Sequence, residues 1–205
     1  MRGKQRTVRS APGTLAPIAS RMTGTGRRTV GIFVYRGVTS SEVYEPVTRL
    51  AERLDADIVA IGPTPGSVHG VEPSREIEVD VAVTAAPRVD VLVVPGGLGW
   101  KQVIDDEASR TWLATAAVDA QGILAISTGS LLLASVGRLE GRDATGHWLA
   151  DAELAALGAV ATGRRTAATD DGRVVTAAGA LAALHVVDEL ATRSTWVEWM
   201  RPSPE

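Results

Sequence analysis

Apolar runs of strand length recur along the chain from residue 29 onward. The runs at 29–35, 57–62, 89–97 and 123–127 are rich in Val, Ile, Leu and Ala. Such nearly continuous runs are typical of strands that are buried on both faces of a parallel sheet. Residues 75–84 alternate between apolar and polar positions, which predicts a half-exposed strand or hairpin arm. Shorter strands follow after residue 157, two of them joined by a hairpin-type turn at Asp170-Asp171-Gly172.

Between these runs the apolar positions take helical spacing. After the first strand, one apolar stripe contains Val43, Val47, Leu50 and Leu54. Further helices are predicted at 105–120, 128–137, 149–157 and 180–193. Strands that alternate with helices imply a single α/β domain, a mostly parallel sheet with helices on both faces.

Sheets of this kind bind ligands beyond the carboxyl ends of their strands. Two predicted strands end in loops that suit this purpose, VVPGG at 93–97 and AISTG at 125–129. The glycines Gly96 and Gly97 allow backbone to approach a ligand or another loop closely, although an ordinary tight turn has the same composition.

Ser127 lies where the chain is predicted to pass sharply from strand to helix. A serine at such a corner is exposed to the cleft, as in the Gly-x-Ser-x-Gly turn that carries the nucleophile of α/β-hydrolases. Here Ala125 replaces the first glycine of that pattern and Gly129 provides the second. Serine is also a favoured N-cap of helices, so the pattern leaves a nucleophile and a helix cap as alternatives.

Glu42 follows the first strand, at the start of the next helix. Its carboxylate is placed to face the same cleft and to take a proton from water or a hydroxyl. Acidic residues also occur at helix starts because they interact favourably with the helix dipole, and this second interpretation stays open.

Composition narrows the possible chemistry. The chain of 205 residues is 45% hydrophobic but only 4% aromatic, so Val, Ala, Leu and Ile must fill the core. Its net charge of -3 gives no general attraction to nucleic acid or to an acidic membrane surface. The absence of cysteine excludes disulfides and thiol catalysis, and three scattered histidines form no metal motif. No apolar stretch has transmembrane length, so no membrane partner is predicted.

The two ends differ from the domain predicted for residues 29–195. Residues 1–28 contain many Arg, Ser, Thr, Gly and Pro and no acid, which predicts a disordered basic extension, with Met22 as an alternative start. Residues 196–205 form a tail with two tryptophans that could cover an apolar edge.

Together these motifs resemble the ThiJ/PfpI family of the flavodoxin-like class I glutamine amidotransferase-like superfamily. The resemblance covers residues 29–192 and includes GRLEGRDATGHW at 137–148 and RVVTAAGALAALHVVDEL at 173–190. The isonitrile hydratase-like branch is the most similar. The resemblance implies a cytoplasmic homodimer that acts on a small molecule without a cofactor.

The resemblance also implies roles for individual residues. The family's nucleophilic cysteine falls on Ser127, its acid on Glu42, and the threonine of the hydratase branch on Thr128. Gly97 falls on the backbone that contacts an oxyanion, with Thr128 as a second donor and Gly96 beside it. His147 falls in a His-Trp pair of the family and is a candidate binding residue, although a packed structural role is the alternative.

The departure from the family pattern is the missing cysteine. A hydroxyl is a weaker nucleophile than a thiol and needs an adjacent base. Two hypotheses follow: an isonitrile hydratase-like enzyme that uses Ser127 and Glu42, and a catalytically inactive ligand-binding or sensor protein that keeps the pocket.

Overall fold

The computed structural model describes residues 28–72 and 76–190 of the chain. The predicted basic extension, except for residue 28, and the predicted tail at 196–205 lie outside the described residues. The strands within the described part are β1 (Thr29–Phe33), β2 (Asp57–Gly62), β3 (Gly66–His69), β4 (Glu76–Val79), β5 (Val81–Ala82), β6 (Val91–Val94), β7 (Gly122–Ile126), β8 (Asp143–Ala144), β9 (Val160–Ala161), β10 (Thr166–Thr169) and β11 (Val174–Ala177). The α-helices there are α1 (Ser40–Val43), α2 (Glu45–Leu54), α3 (Trp100–Asp105), α4 (Glu107–Asp119), α5 (Gly129–Ser135), α6 (Asp151–Ala156) and α7 (Ala180–Leu190).

A seven-stranded sheet forms the centre of the fold, in the order β10-β11-β7-β6-β1-β2-β5. Neighbouring strands are parallel throughout, except for the antiparallel pair β10 and β11. Helices α1, α2 and α7 pack together, and helices α3 to α6 form a second group. The predicted α/β class with a mostly parallel sheet is confirmed.

The sheet interior contains few aromatic residues, as the composition requires. Every residue of β6 and β7 is buried, which explains why their sequences are almost wholly aliphatic. The exception is a small aromatic cluster in which the Phe33 ring lies 5.5 Å from that of Tyr35 and 5.6 Å from that of Trp112. Burial of this apolar surface drives folding and fixes the strand ends that carry the site.

The helix predicted after the first strand is divided into two parts at Tyr44. Pro46 has no N–H to donate to the carbonyl of Glu42, four residues earlier, so a continuous helix is interrupted. The predicted apolar stripe is buried, but it is shared between the two helices: Val43 ends α1, and the other three residues lie on α2. The short helix α1 also carries Glu42.

Besides the two-residue strand β8, two elements have no counterpart in the sequence predictions. Strand β3 pairs with β4 as a separate antiparallel hairpin, and its sequence GSVH offers a single apolar residue as a signal. Helix α3, with the sequence WKQVID, is short and buries only Val103. Both elements lie close to the carboxyl ends of the central strands and therefore help to shape the site.

Candidate functional site

Ser127 occupies a sharp turn between β7 and α5. Its φ angle of 58° lies in the left-handed region, which residues with a side chain seldom adopt. The Ser127 N–H donates to the carbonyl of Ala177 at 2.7 Å, so the turn is held from the neighbouring strand. Thr128, not Ser127, is the N-cap residue of α5, and its side chain makes no capping hydrogen bond. Ser127 therefore lies at a strand–turn–helix corner in an unusual backbone conformation, and it does not act as a helix cap.

Glycines allow the neighbouring segments to approach this corner. A Cβ atom on Gly129 would collide with the carbonyl oxygen of Val94, at the end of β6. A Cβ atom on Gly96 would lie 2.7 Å from the Thr128 nitrogen and 2.9 Å from the Ser127 Cβ. The turn and the Pro-Gly-Gly loop therefore pack backbone against backbone, and a side chain at either glycine would push them apart.

Glu42 reaches the same place from the other side. Its residue surface is only 5% exposed, and its Oε2 accepts a hydrogen bond from the Gly96 N–H at 2.7 Å. The Ser127 side chain also lies close enough to the carboxylate to favour its ionised form. The acid, the hydroxyl and the Pro-Gly-Gly loop, which the sequence predicted would converge, are adjacent.

Burial raises the pKa of Glu42 to about 7. The Gly96 hydrogen bond and the Ser127 side chain act in the opposite direction, since they stabilise the ionised form, and the negative charge of Glu72 raises the pKa further. At neutral pH the carboxyl group therefore exists in both its protonated and its ionised form.

The Pro-Gly-Gly loop is connected to the loop after β1 as well as to the turn that carries Ser127. The Gly97 N–H donates to Thr128 Oγ1 at 2.8 Å, and this hydroxyl donates to the Gly97 carbonyl at 3.1 Å. The Thr39 N–H donates to the Gly96 carbonyl at 2.8 Å. The Gly97 amide is thus occupied by Thr128, whereas the Thr128 N–H makes no hydrogen bond with the described residues.

A cavity of about 350 Å³ opens beside Ser127. Its walls contain both polar and apolar residues. The lining residues are Thr39, Val71, Gly97, Leu98, Trp100, Lys101, Ser127, Thr128, Leu131, His147, Leu149, Ala150 and Glu153. Ser127 is among the described residues that form these walls, whereas Glu42 is not.

His147, the candidate binding residue from the sequence, lies in the cavity wall. Its Nδ1 accepts a hydrogen bond from the Leu149 N–H at 3.3 Å, and its ring stacks on Trp148 with the ring centres 5.9 Å apart. One ring nitrogen is therefore committed to local structure, while the residue still borders the space next to Ser127.

Two residues near the acid were not predicted. Tyr35 is 1% exposed and donates its hydroxyl to the carbonyl of Pro95 at 3.1 Å, so it supports the Pro-Gly-Gly loop from below. Burial raises the pKa of Tyr35, which keeps this donor protonated. Glu72 comes from the β3–β4 hairpin, and nothing in the local sequence around it indicates a role near Glu42.

Across residues 28–72 and 76–190, no helix combines the length and the apolar character needed to cross a bilayer. Over the same residues, no group of three or more His, Cys, Asp and Glu side chains is arranged to hold a metal ion. The polar groups next to the cavity are hydroxyls, backbone amides, the His147 imidazole, the Lys101 ammonium group and the Glu153 carboxylate, with the Glu42 carboxyl group close to Ser127.

The fold and the site define a flavodoxin-like α/β protein with a serine at the strand–helix turn. Residues 28–193 match the DJ-1/PfpI family, and the chain belongs to this family. The resemblance that the sequence motifs indicated is thereby confirmed.

Similarity to individual proteins agrees with this assignment. The isonitrile hydratase of Pseudomonas putida is 33% identical over 112 residues, which are 55% of this chain and 48% of the relative. The aligned region thus spans about half the length of that curated relative. A ThiJ/PfpI family protein from Pseudomonas syringae has a TM-score of 0.72 at 25% identity, covering 94% of this chain and 84% of the other. Drosophila melanogaster DJ-1beta has a TM-score of 0.70 at 20% identity, over 84% and 95% of the two chains, and shows the shared fold.

Proposed function

We propose that this protein hydrates a small electrophilic molecule of the isonitrile type, with Glu42 as the acid and base and Ser127 as the nucleophile. One observation carries the proposal: Ser127 lines a cavity of about 350 Å³, and its side chain lies close to the buried Glu42 carboxyl group. The similarity to an isonitrile hydratase supports the choice of substrate class.

The proposed reaction has two steps, and its atoms balance. The ionised Glu42 takes the hydroxyl proton of Ser127 as Oγ bonds to the terminal carbon of R–N≡C, and Glu42 returns that proton to the same carbon. The product of this step is an imidate ester, R–N=CH–O–Ser127. Water then adds to the imidate carbon, the bond to Oγ breaks, and R–NH–CHO leaves while Ser127 regains its proton.

The acid suits both directions of proton transfer. A group that removes and returns a proton works best when its pKa is close to the working pH, and the pKa of Glu42 is about 7. Its orientation is fixed by the Gly96 N–H, so we assign Gly96 to holding the acid in place.

Three other residues complete the proposed site. The Thr128 N–H, which lies next to Ser127, makes no hydrogen bond with the part of the chain that the structure describes. Gly97 becomes a second donor when Thr128 Oγ1 releases its amide. Both amides would stabilise negative charge that develops on the substrate. His147 would contact the substrate from the cavity wall.

A non-catalytic role is the alternative, and one observation favours it. The chain contains no cysteine, although the resemblance places the family's nucleophilic cysteine at Ser127. A protein that has lost its nucleophile and kept the cavity would bind a metabolite as a sensor without consuming it.

The assembly proposed for this protein is a cytoplasmic homodimer that binds a small molecule and neither nucleic acid nor a membrane. Exposed apolar residues beside the cavity are compatible with a second copy nearby, since Leu98 is 79% and Trp148 is 74% exposed. Analytical ultracentrifugation of the full chain tests this state, and a single monomeric species would contradict it.

The test of function compares Glu42→Gln with Glu52→Gln, which removes an exposed carboxylate from α2. Turnover of a simple alkyl isonitrile is followed by NMR detection of the formamide. We expect Glu42→Gln to lose about 100-fold or more in rate, with unchanged circular dichroism, and Glu52→Gln to remain active. Full activity in Glu42→Gln would rule out this mechanism.

Ser127→Cys separates the enzyme from the sensor. A loss of activity in this variant indicates a site adapted to serine, whereas a large gain from a negligible wild-type rate indicates a disabled site. Thermal shift with a panel of small metabolites supplies the second measurement. Stabilisation of the wild type by a compound that is never consumed would favour the sensor.

A further inference from the structure

The end of the β3–β4 hairpin is bound to the loop that precedes Glu42. The Gly37 N–H donates to the His69 carbonyl, and the Val71 N–H donates to the Val38 carbonyl, both at 2.8 Å. Gly70 lies between these contacts, where a Cβ atom would be 2.7 Å from Ser40 Oγ and 2.9 Å from the Val38 carbonyl oxygen. The hairpin and the loop are thus fitted to each other without room for a side chain at residue 70.

This contact brings a second carboxylate to the helix that carries the acid. Glu72 Oε2 accepts a hydrogen bond from the Ser40 N–H at 3.1 Å. Ser40 is the first residue of α1 and is itself buried, and Glu42 follows it by two positions in the same turn. Because α1 has only four residues, one such bond at its start supports much of its backbone.

We propose that Glu72 is a positioning residue for Glu42: it anchors the first turn of α1 through Ser40, and its negative charge favours the protonated form of the acid. The charge matters because the Gly96 hydrogen bond and the Ser127 side chain both favour the ionised form, and burial alone must otherwise oppose them. Placing one carboxylate near another is a general way to keep a proton on one of them.

Several charged groups on the helices around α1 form ion pairs. Helices α2 and α7 pack against it, and there Arg49 and Arg53 bind Asp188 at 2.9 Å and 3.2 Å. Glu45 lies 3.7 Å from Arg49.

The remaining titratable groups on these sides include a further ion pair and a neutral tyrosine. His185 and Glu189 pair on α7 at 3.4 Å. Tyr35, beside Glu42, stays neutral because burial raises its pKa. Glu52 lies on α2, and the cavity wall adds His147, Lys101 and Glu153. Glu72 is the charge that the structure couples to Glu42.

The inference rests on the proposed function for its consequence, but its test does not need turnover. The ionisation of Glu42 is followed by ¹³C NMR of glutamate side-chain carboxyl carbons in the ligand-free full chain, with Glu42→Gln to assign the signal. In Glu72→Gln the midpoint of the Glu42 titration should fall by roughly half a pH unit, because one nearby charge has gone. The pH profile of turnover should move in the same direction.

Two further variants separate charge from anchoring. Glu78→Gln removes an equal charge from an exposed position of the same hairpin and should leave the Glu42 midpoint unchanged. Glu72→Ala removes both the charge and the acceptor, so it should also speed amide exchange at Ser40. In Glu72→Gln the amide oxygen still accepts from the Ser40 N–H, and exchange there should stay slow.

The outcomes distinguish this inference from the proposed reaction. An unchanged midpoint in Glu72→Gln, or unchanged Ser40 exchange in Glu72→Ala, overturns the inference even if the wild type is an active hydratase. A shifted midpoint with fast Ser40 exchange in Glu72→Ala supports it even if no isonitrile is consumed, in which case only the proposed reaction fails.

Discussion

The Glu42 carboxylate accepts a 2.7 Å hydrogen bond from the backbone N–H of Gly96, 54 positions further along the chain. This bond joins the helix after β1 to the loop after β6, and both segments meet Ser127 at the end of β7. The hydrogen bond fixes the orientation of the carboxyl group, but burial disfavours its ionised form. Its ionisation should therefore be visible in the stability of the whole domain.

The stability of the protein should fall as the pH rises from about 5 to about 8. The pKa of Glu42 is about 7 in the folded protein against 4.5 without its surroundings, so the folded state holds the proton more tightly. The stabilisation is complete below pH 4.5 and is lost as the pH passes through about 7. The loss amounts to about 3 kcal/mol for this shift.

Chemical denaturation at pH 5 and pH 8 measures this loss. Glu42→Gln carries no titrating proton at this position, so its free energy of unfolding should change less between the two pH values. The difference between the two proteins isolates Glu42, because the other titrating groups are common to both. Equal changes in wild type and variant would contradict the prediction.

Replacing Ser127 should reveal the backbone strain at the turn. Its φ of 58° is unfavourable for a residue with a Cβ atom and acceptable for glycine. Ser127→Gly and Ser127→Ala both lose the hydroxyl and should both be inactive. Ser127→Gly should nevertheless be more stable than Ser127→Ala, by about 1 kcal/mol. Urea denaturation of the two variants gives this difference, and a more stable Ser127→Ala would show that the turn is not strained.

Gly129→Ala should destabilise the fold strongly. The added Cβ would collide with backbone atoms of Val94 and Pro95, which cannot rotate away as a side chain can. We expect a loss of about 2–3 kcal/mol in the free energy of unfolding. Gly179→Ala is the matched control, because a Cβ there meets no atom within 4 Å and its effect should stay within about 0.5 kcal/mol. Similar melting temperatures for the two variants would contradict the packing described for the turn.

The sequence was sufficient to predict the sheet and the meeting of Ser127, Glu42 and the Pro-Gly-Gly loop. Continuous apolar runs reveal parallel strands, and such strands bring their carboxyl-end loops to one edge of a sheet. Ala125, which replaces a glycine of the hydrolase pattern, lies inside β7 and pairs with Val94 and Thr176, so an alanine is accommodated there.

What the sequence could not predict depends on contacts between distant segments. Glu72 accepts a hydrogen bond from the Ser40 N–H, but it belongs to a hairpin whose strand β3 has only one apolar residue as a signal. The Thr128 hydroxyl accepts a hydrogen bond from the Gly97 N–H, and a threonine at a helix start is too common to indicate this contact. In the sequence, Tyr35 is indistinguishable from the other residues of the apolar run 29–35, although its hydroxyl donates a hydrogen bond to the Pro95 carbonyl. Periodicity reports which residues are buried, but it does not report which polar atoms meet in the interior.

The antiparallel bridge between Val38 and Gly97 joins the loop after β1 to the loop after β6 by main-chain contacts. Such a connection cannot open without disturbing two central strands of the sheet. Heat should therefore inactivate the protein and melt it in one event, and no intact scaffold with a loosened reaction centre should accumulate on the way.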